Sequence, residues 1–311
     1  MADHNPDRST KDDLSPGYWY QQRCLIAGGT NGFGLILAKT LCRYGATVML
    51  IGRSADGVRN AIALCETEAR TANNSTQQVH GLTADLNQPG EGERVVAHCL
   101  QKLGGCDSFF FCIGQSSRSA ILNLPPNEIR RSIEANLMTA VEVTQAVAET
   151  VCRARGHLVF ISSLAGKFVT PAMGNYAIGK SSLAAFVEAV RLEAELLGGH
   201  VLLVSPGPIA RNIQKEPNCS FNRYDSEVVK HGLRDIAKQP GGGASLRLLN
   251  ATRLAQEVLL ACRKRAPELV RPKKAMLLAG FIAWFPSWGR KILHRYTSNA
   301  YQSTDEKRLL S

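Results

Sequence analysis

The chain has 311 residues, 44% of them apolar and 20% charged, so it can bury a large core without disulfides or metals and does not belong with disordered or stapled mini-proteins. Its formal charge of +11 is uneven, with eleven Lys or Arg against three acidic residues from 263 to 311; no nucleic-acid motif accompanies them, and nucleic acid is set aside as a partner. Nine cysteines without a CxxC pair indicate neither a metal site nor a disulfide framework, which leaves reduced thiols in a cytoplasmic compartment as the simplest reading.

Residues 1–17 are polar and lack the apolar stretch of a signal peptide or anchor, so the first 20 residues are expected to be a disordered segment ahead of the domain. Short apolar runs then occur at 23–27, 47–51, 79–83, 108–113, 157–161 and 201–204. Between them lie patterns of helical period at 34–44, 87–103, 127–155 and 175–197. Strands alternating with helices predict one α/β domain over 21–272, a doubly wound, Rossmann-like parallel sheet. The alternation stops after Ser205, and 210–250, with Pro217, Pro240 and Gly241 to Gly243, reads as a mobile lid over a substrate. One more helix is predicted at 251–264, ahead of an apolar and basic extension over 273–311.

The first strand runs straight into Gly28-Gly29-Thr30-Asn31-Gly32-Phe33-Gly34, after which a helix begins. Glycines spaced G-x3-G-x-G permit a tight turn and let backbone N–H groups approach a pyrophosphate at a helix N-terminus. Gly28, Thr30, Asn31, Gly32, Phe33 and Gly34 therefore form the candidate cofactor cradle. Arg53, at the end of the second strand, offers a planar cation for a 2′-phosphate where an acidic residue would hold a ribose; otherwise it is an exposed loop arginine. Asp85-Leu86 closes the third strand, where the carboxylate either accepts from an adenine amino group or caps the next helix.

Ser162-Ser163 ends the fifth strand, and Tyr176 and Lys180 stand four apart on the next helical pattern, on one face. A phenol ionises near pKa ~10 and is a poor acid–base at neutral pH. A neighbouring ammonium stabilises the phenolate, so the pair suits proton transfer to a carbonyl oxygen.

This ordered set resembles the short-chain dehydrogenase/reductase family over 23–210: the glycine turn, Asp85, Gly114, Asn136, Ser163 thirteen residues before Tyr176, Lys180, and Ser205-Pro206-Gly207. The resemblance implies that Ser163 polarises the substrate carbonyl, that Tyr176 donates the proton and that Lys180 tunes Tyr176 and binds the nicotinamide ribose. It implies a water held by Asn136 that relays protons to Lys180, with Pro206 and Gly207 shaping the nicotinamide pocket and Gly114 and Ile209 among the cofactor-binding residues. With Arg53, the cofactor is expected to be NADP(H) and the substrate a hydrophobic, lipid- or steroid-like ketone, aldehyde or alcohol. Oxidation of an alcohol by the same machinery and a non-enzymatic NADP-binding, membrane-associated protein are the alternatives. Helices 127–155 and 175–197 could pair between subunits as in many relatives, giving a homodimer or homotetramer.

Three positions depart from the family pattern: Ala27 stands for a threonine, Phe111-Cys112-Ile113-Gly114 for Asn-Asn-Ala-Gly, and Arg211 for a threonine near the nicotinamide amide. Apolar packing is expected to replace the polar link between strand ends. In the extension, 275–289 carries no charge, includes Trp284 and Trp288 and is flanked by Lys273-Lys274 and Arg290-Lys291. It is too short to span a bilayer, and reads either as an interfacial helix touching a membrane peripherally through 273–296 or as a lid over the cleft.

Overall fold

Successive residues of a strand point to opposite faces, so a strand apolar throughout needs cover on both sides. In the structure, a computed structural model that describes residues 16–74, 79–210, 241 and 247–297, seven parallel strands meet this requirement. They are β1 (Arg23–Ala27), β2 (Thr47–Gly52), β3 (Val79–Thr83), β4 (Ser108–Phe111), β5 (His157–Ile161), β6 (His200–Pro206) and β7 (Glu268–Arg271), ordered β3-β2-β1-β4-β5-β6-β7. Ile26, Leu50, Phe110, Val159 and Leu202 point to one face, where α1 (Gly32–Arg43), α2 (Ala55–Thr71) and α7 (Ala251–Arg263) cover them. Leu25, Ile51, Phe109, Phe160 and Leu203 point to the other, beneath α3 (Glu91–Leu103), α5 (Thr139–Arg153) and α6 (Gly174–Leu196). The eight cysteines among the described residues are all free, and all but Cys112 are buried.

Local chemistry sets the helix ends. Ser54 caps α2 by accepting from Gly57 N at 3.3 Å, and Asn250 caps α7 by accepting from Arg253 N at 2.9 Å. The strand order reverses between β1 and β4, and in an open α/β sheet the C-terminal strand ends at such a reversal are where the topology places a ligand crevice.

Four expectations are corrected. The pattern over 127–155 is not one helix: α4 (Pro126–Ile133) passes through a π turn at Glu134–Met138 into α5. The helix expected from 87 starts at Glu91 behind Gly90 in a left-handed conformation, so Asp85 does not cap it. The alternation resumes in β7, whose four residues lie between Pro267 and Pro272 and are too few to show a period. Of the segment expected to be disordered, 16–20 is ordered, with Trp19 buried against Phe110 and His157. Most of 210–250, including Arg211, lies outside the described residues.

That N-terminal turn docks on histidines that open two neighbouring strands. His157 and His200 are paired in register, with their Nδ1 atoms 2.8 Å apart. His200 Nε2 lies 2.9 Å from the Ala266 carbonyl, which only accepts, so this nitrogen carries the proton. His200 Nδ1 therefore accepts from His157 Nδ1, and His157 Nε2 accepts from the Tyr18 hydroxyl at 2.6 Å. With both rings neutral, each of these nitrogens has a partner. Burial, with His200 and Arg265 nearby, pushes His157 down to about 3; burial also lowers His200.

Between that value and the unfolded histidine value near ~6.5, the unfolded chain binds the extra proton. The stabilisation is therefore whole above about pH 6.5 and is lost as pH falls toward 3. His157→Asn is expected to cost about 1–3 kcal/mol at neutral pH by breaking the chain. It should also flatten the decline of the urea midpoint between neutral pH and about pH 5. Parallel declines in variant and wild type would show that the histidines do not cause the acid sensitivity.

Candidate active site

The cradle is shaped by side chains that are missing. Gly28 has φ +79°, and the N–H groups of Gly28 and Gly29 both donate to Ile51 O at 3.1 Å, tying the turn to β2. A Cβ on Gly28 would lie 3.0 Å from Ile113 Cγ1, and one on Gly34 would lie 2.2 Å from Gly28 O, so neither position admits a side chain as built. Thr30 fills the space over Gly52, where a Cβ would meet Thr30 Oγ1 at 2.4 Å. Gly32 and Asn31 are exposed, and Phe33 packs against the core beneath α1. Asn31 makes no side-chain cap and the first turn of α1 holds no acidic residue, so its amides and the positive end of its dipole face the crevice uncompensated.

Arg53 is exposed at the end of β2 and is in no ion pair among the described residues. Against the upward pull of burial, hydrogen bonds from Asn87 and the nearby charge of Arg53 hold the Asp85 carboxyl below its ordinary value. Leu86 is buried beside it.

Across the crevice, the Lys180 ammonium is 2% exposed and donates to Ile113 O at 3.3 Å and Ile161 O at 3.1 Å. Burial lowers it to about 8, with the neighbouring Cys112 sulfur acting in the opposite direction; the same burial pushes the Cys112 thiol up to about 12. One helical turn before it, the Tyr176 ring has its centroid 6.0 Å from Lys180 Nζ. Tyr176 packs on the cluster of Ala165, Met173 and Ala177. Ala165 belongs to the turn after Ser163, and Ser163 Oγ accepts from Ala165 N at 3.2 Å.

Asn136, fully buried in the π turn, donates to Ser132 O at 2.9 Å and Gln115 O at 3.3 Å and accepts from Gln115 N at 3.2 Å. It thus pins the chain just past Gly114, where a Cβ would lie 2.7 Å from Lys180 Nζ and 3.2 Å from Asn136 Oδ1. Gly207 N donates to Arg271 O at 2.7 Å, holding Pro206 and Gly207 against β7, and Ile209 bridges to Leu249. The structure gathers the sequence-derived residues along the C-terminal edge of the sheet.

A family model described as short chain dehydrogenase matches residues 22–219. The chain belongs to the short-chain dehydrogenase family. It is 30% identical over 272 residues to dehydrogenase/reductase SDR family member 7B of Mus musculus, covering 86% of this chain and 76% of that one. It is 24% identical over 294 residues to a hydroxysteroid 11-beta-dehydrogenase 1-like protein of Xenopus tropicalis, covering 93% of each. An alcohol dehydrogenase from Thermococcus sibiricus, solved with 5-hydroxy-NADP, shares the fold with a TM-score of 0.64 at 20% identity, over 80% of this chain and 95% of that one. The chain is accordingly an oxidoreductase of a family that binds a nicotinamide cofactor.

Two departures from the family pattern now have a physical form. Cys112 N donates to Ala27 O at 2.9 Å, so a backbone bond and the close contact of Ile113 with Gly28 join the strand ends. The family resemblance implies no role for Gly52 or Ser162. Gly52 is a glycine at a strand end, and only the fold brings it against Thr30; Ser162, whose hydroxyl lies 3.4 Å from Lys180 O, differs from Ser163 by nothing that a single sequence shows.

Gly114→Ala is expected to push the ammonium off its two carbonyls. The fold should survive at a cost of about 1–3 kcal/mol, with turnover falling much further than stability. Thermal unfolding and single-turnover rates measure the two; undiminished turnover would show that the seat of Lys180 tolerates the methyl group.

Proposed function

We infer that the chain is an NADP(H)-dependent reductase of a hydrophobic ketone or aldehyde. The observation that carries this reading is the buried Lys180 ammonium one helical turn from Tyr176, beside the glycine cradle. The cradle fits a dinucleotide, since Gly28 and Gly34 let the turn fold closely on itself, the space beside Gly32 is open, and the first turn of α1 offers uncapped amides. Gly28, Thr30, Asn31, Gly32, Phe33 and Gly34 would hold the pyrophosphate, Asp85 and Leu86 the adenine, and Gly114, Pro206, Gly207 and Ile209 the nicotinamide side. When bound, the cofactor supplies hydride.

Ser163 orients the carbonyl oxygen, and Tyr176 donates the proton that this oxygen takes up. Lys180, still mostly charged at neutral pH, favours the phenolate left behind; two of its N–H groups hold strand-end carbonyls and the third is available to the ribose. Asn136 acts through position, by fixing the segment at Gly114 and Gln115. A hydrophobic carbonyl is in keeping with the name of the Xenopus relative. A screen of carbonyl compounds that follows NADPH absorbance identifies the substrate.

With a substrate in hand, Tyr176→Phe removes only the hydroxyl and should lower turnover by about 10²–10⁴-fold while cofactor binding and fold persist. Near-normal turnover would mean that the proton comes from another group.

The preference for NADP(H) rests on Arg53, an exposed guanidinium at the end of β2. A charge-assisted hydrogen bond is worth about 1.5–3 kcal/mol, so Arg53→Ala should weaken NADPH by about tenfold or more and leave NADH almost unchanged. Equal losses for the two cofactors in a titration would remove Arg53 from the 2′-phosphate.

A further inference from the structure

Directly after β7 the chain enters α8 (Lys273–Trp284) and then α9 (Pro286–Thr297). α8 has two apolar sides. Ala275, Leu278, Ala279 and Ile282, at the i, i+3, i+4, i+7 spacing of one helix face, pack with Leu164, Phe168 and Val270. Leu164 follows Ser163 directly, so this side sits on the catalytic turn. α9 closes tightly on it, since a Cβ on Gly289 would lie 2.6 Å from Ile282 Cγ1.

The other side of α8 and the start of α9 face solvent, with Leu277 73% and Trp284 83% exposed on α8, Trp288 69% exposed on α9, and Phe281 and Phe285 between them in the chain. A lid closing on the domain uses one apolar face; this second face remains, and large apolar side chains exposed together mark an interaction surface.

Charge selects the partner. Residues 269–304 contain six Lys or Arg and no Asp or Glu. Lys273, Lys274, Arg290, Lys291 and Arg295 are exposed and in no ion pair among the described residues. A second copy of this surface would set these five cations against five more. An anionic bilayer meets them with opposite charge and accepts the tryptophans at its interface. No described helix is long and apolar enough to cross a membrane, so a bilayer would meet this segment at its interface. We propose that α8 and α9 form a docking surface for an anionic lipid bilayer, seated through Leu164 and Phe168 on the turn that carries Ser163. This docking is independent of the substrate inferred above, and its test needs no turnover.

The test uses the full chain with phosphatidylcholine vesicles, with and without phosphatidylserine. At low salt the protein should float with the phosphatidylserine vesicles and leave them as salt is raised. Nitroxide-labelled lipid should quench tryptophan emission, and Trp284→Phe with Trp288→Phe should abolish that quenching, because the remaining Trp19 is buried. Lys273→Ala with Lys274→Ala should weaken partitioning by about tenfold or more. These substitutions are at exposed positions, and an unchanged melting temperature checks the fold. Failure to float at low salt, equal binding to uncharged vesicles, or wild-type partitioning of the lysine variant would each overturn the proposal. So would a dimer in sedimentation that Leu277→Asp splits while no vesicle binding occurs, which would assign the face to a second copy.

Discussion

An ammonium taken out of water costs several kcal/mol unless its N–H groups find acceptors. That of Lys180 finds them in the carbonyls of Ile161, at the end of β5, and Ile113, just past the end of the adjacent β4. The lysine is therefore placed by the sheet as much as by its own helix. Gly114 must lack a side chain to leave it room, and the π turn lets Asn136 reach back to hold that glycine's neighbour. A shift in the ends of β4 and β5 would leave the charge without partners, which ties the integrity of the sheet edge to the charge state of the site.

The two ends of the sheet have different duties. At the C-terminal end, glycines and exposed polar groups leave a crevice. At the N-terminal end, polar groups are consumed in locking the chain. Arg23 reaches Asp107 through its backbone N–H at 2.8 Å and its side chain at 2.5 Å, and donates to Gly104 O at 2.7 Å. Arg265 donates to the carbonyls of Arg155, Gly198 and Gly199, next to the histidine chain. Such pinning at the pole remote from the crevice allows the other pole to carry open turns and a buried cation without loosening the domain.

Much of this was legible in the chain itself. Strands buried on both faces leave unbroken apolar runs, the glycine turn is contiguous, and Tyr176 and Lys180 are near enough in sequence for helical spacing to set their relation. What could not be read depends on distant or backbone groups. The acceptors of Lys180 are carbonyls, which every residue has. The π turn adds one residue to a turn without breaking the apolar pattern, so α4 and α5 read as a single helix. Trp19 and Tyr18 dock on residues more than 90 positions away, and Ala275 on a turn about 110 positions earlier; no local signal marks either contact. Strand β7 is short and ends in Glu268 and Arg271, which a periodicity reading takes for loop.

The free cysteines carry a consequence of their own. Seven of the eight described are buried, and burial raises the thiols of Cys24, Cys152 and Cys262, which suppresses the nucleophilic thiolate in the folded chain. Cys42 stands next to Cys65, and Cys106 next to Cys99, as reduced neighbours in the core. Oxidants and alkylating reagents therefore reach these seven sulfurs mainly when the molecule opens, and a molecule modified there while open cannot repack them. Damage to these buried sulfurs then follows how often the fold opens, and how fast it recloses, rather than the acidity of any one thiol.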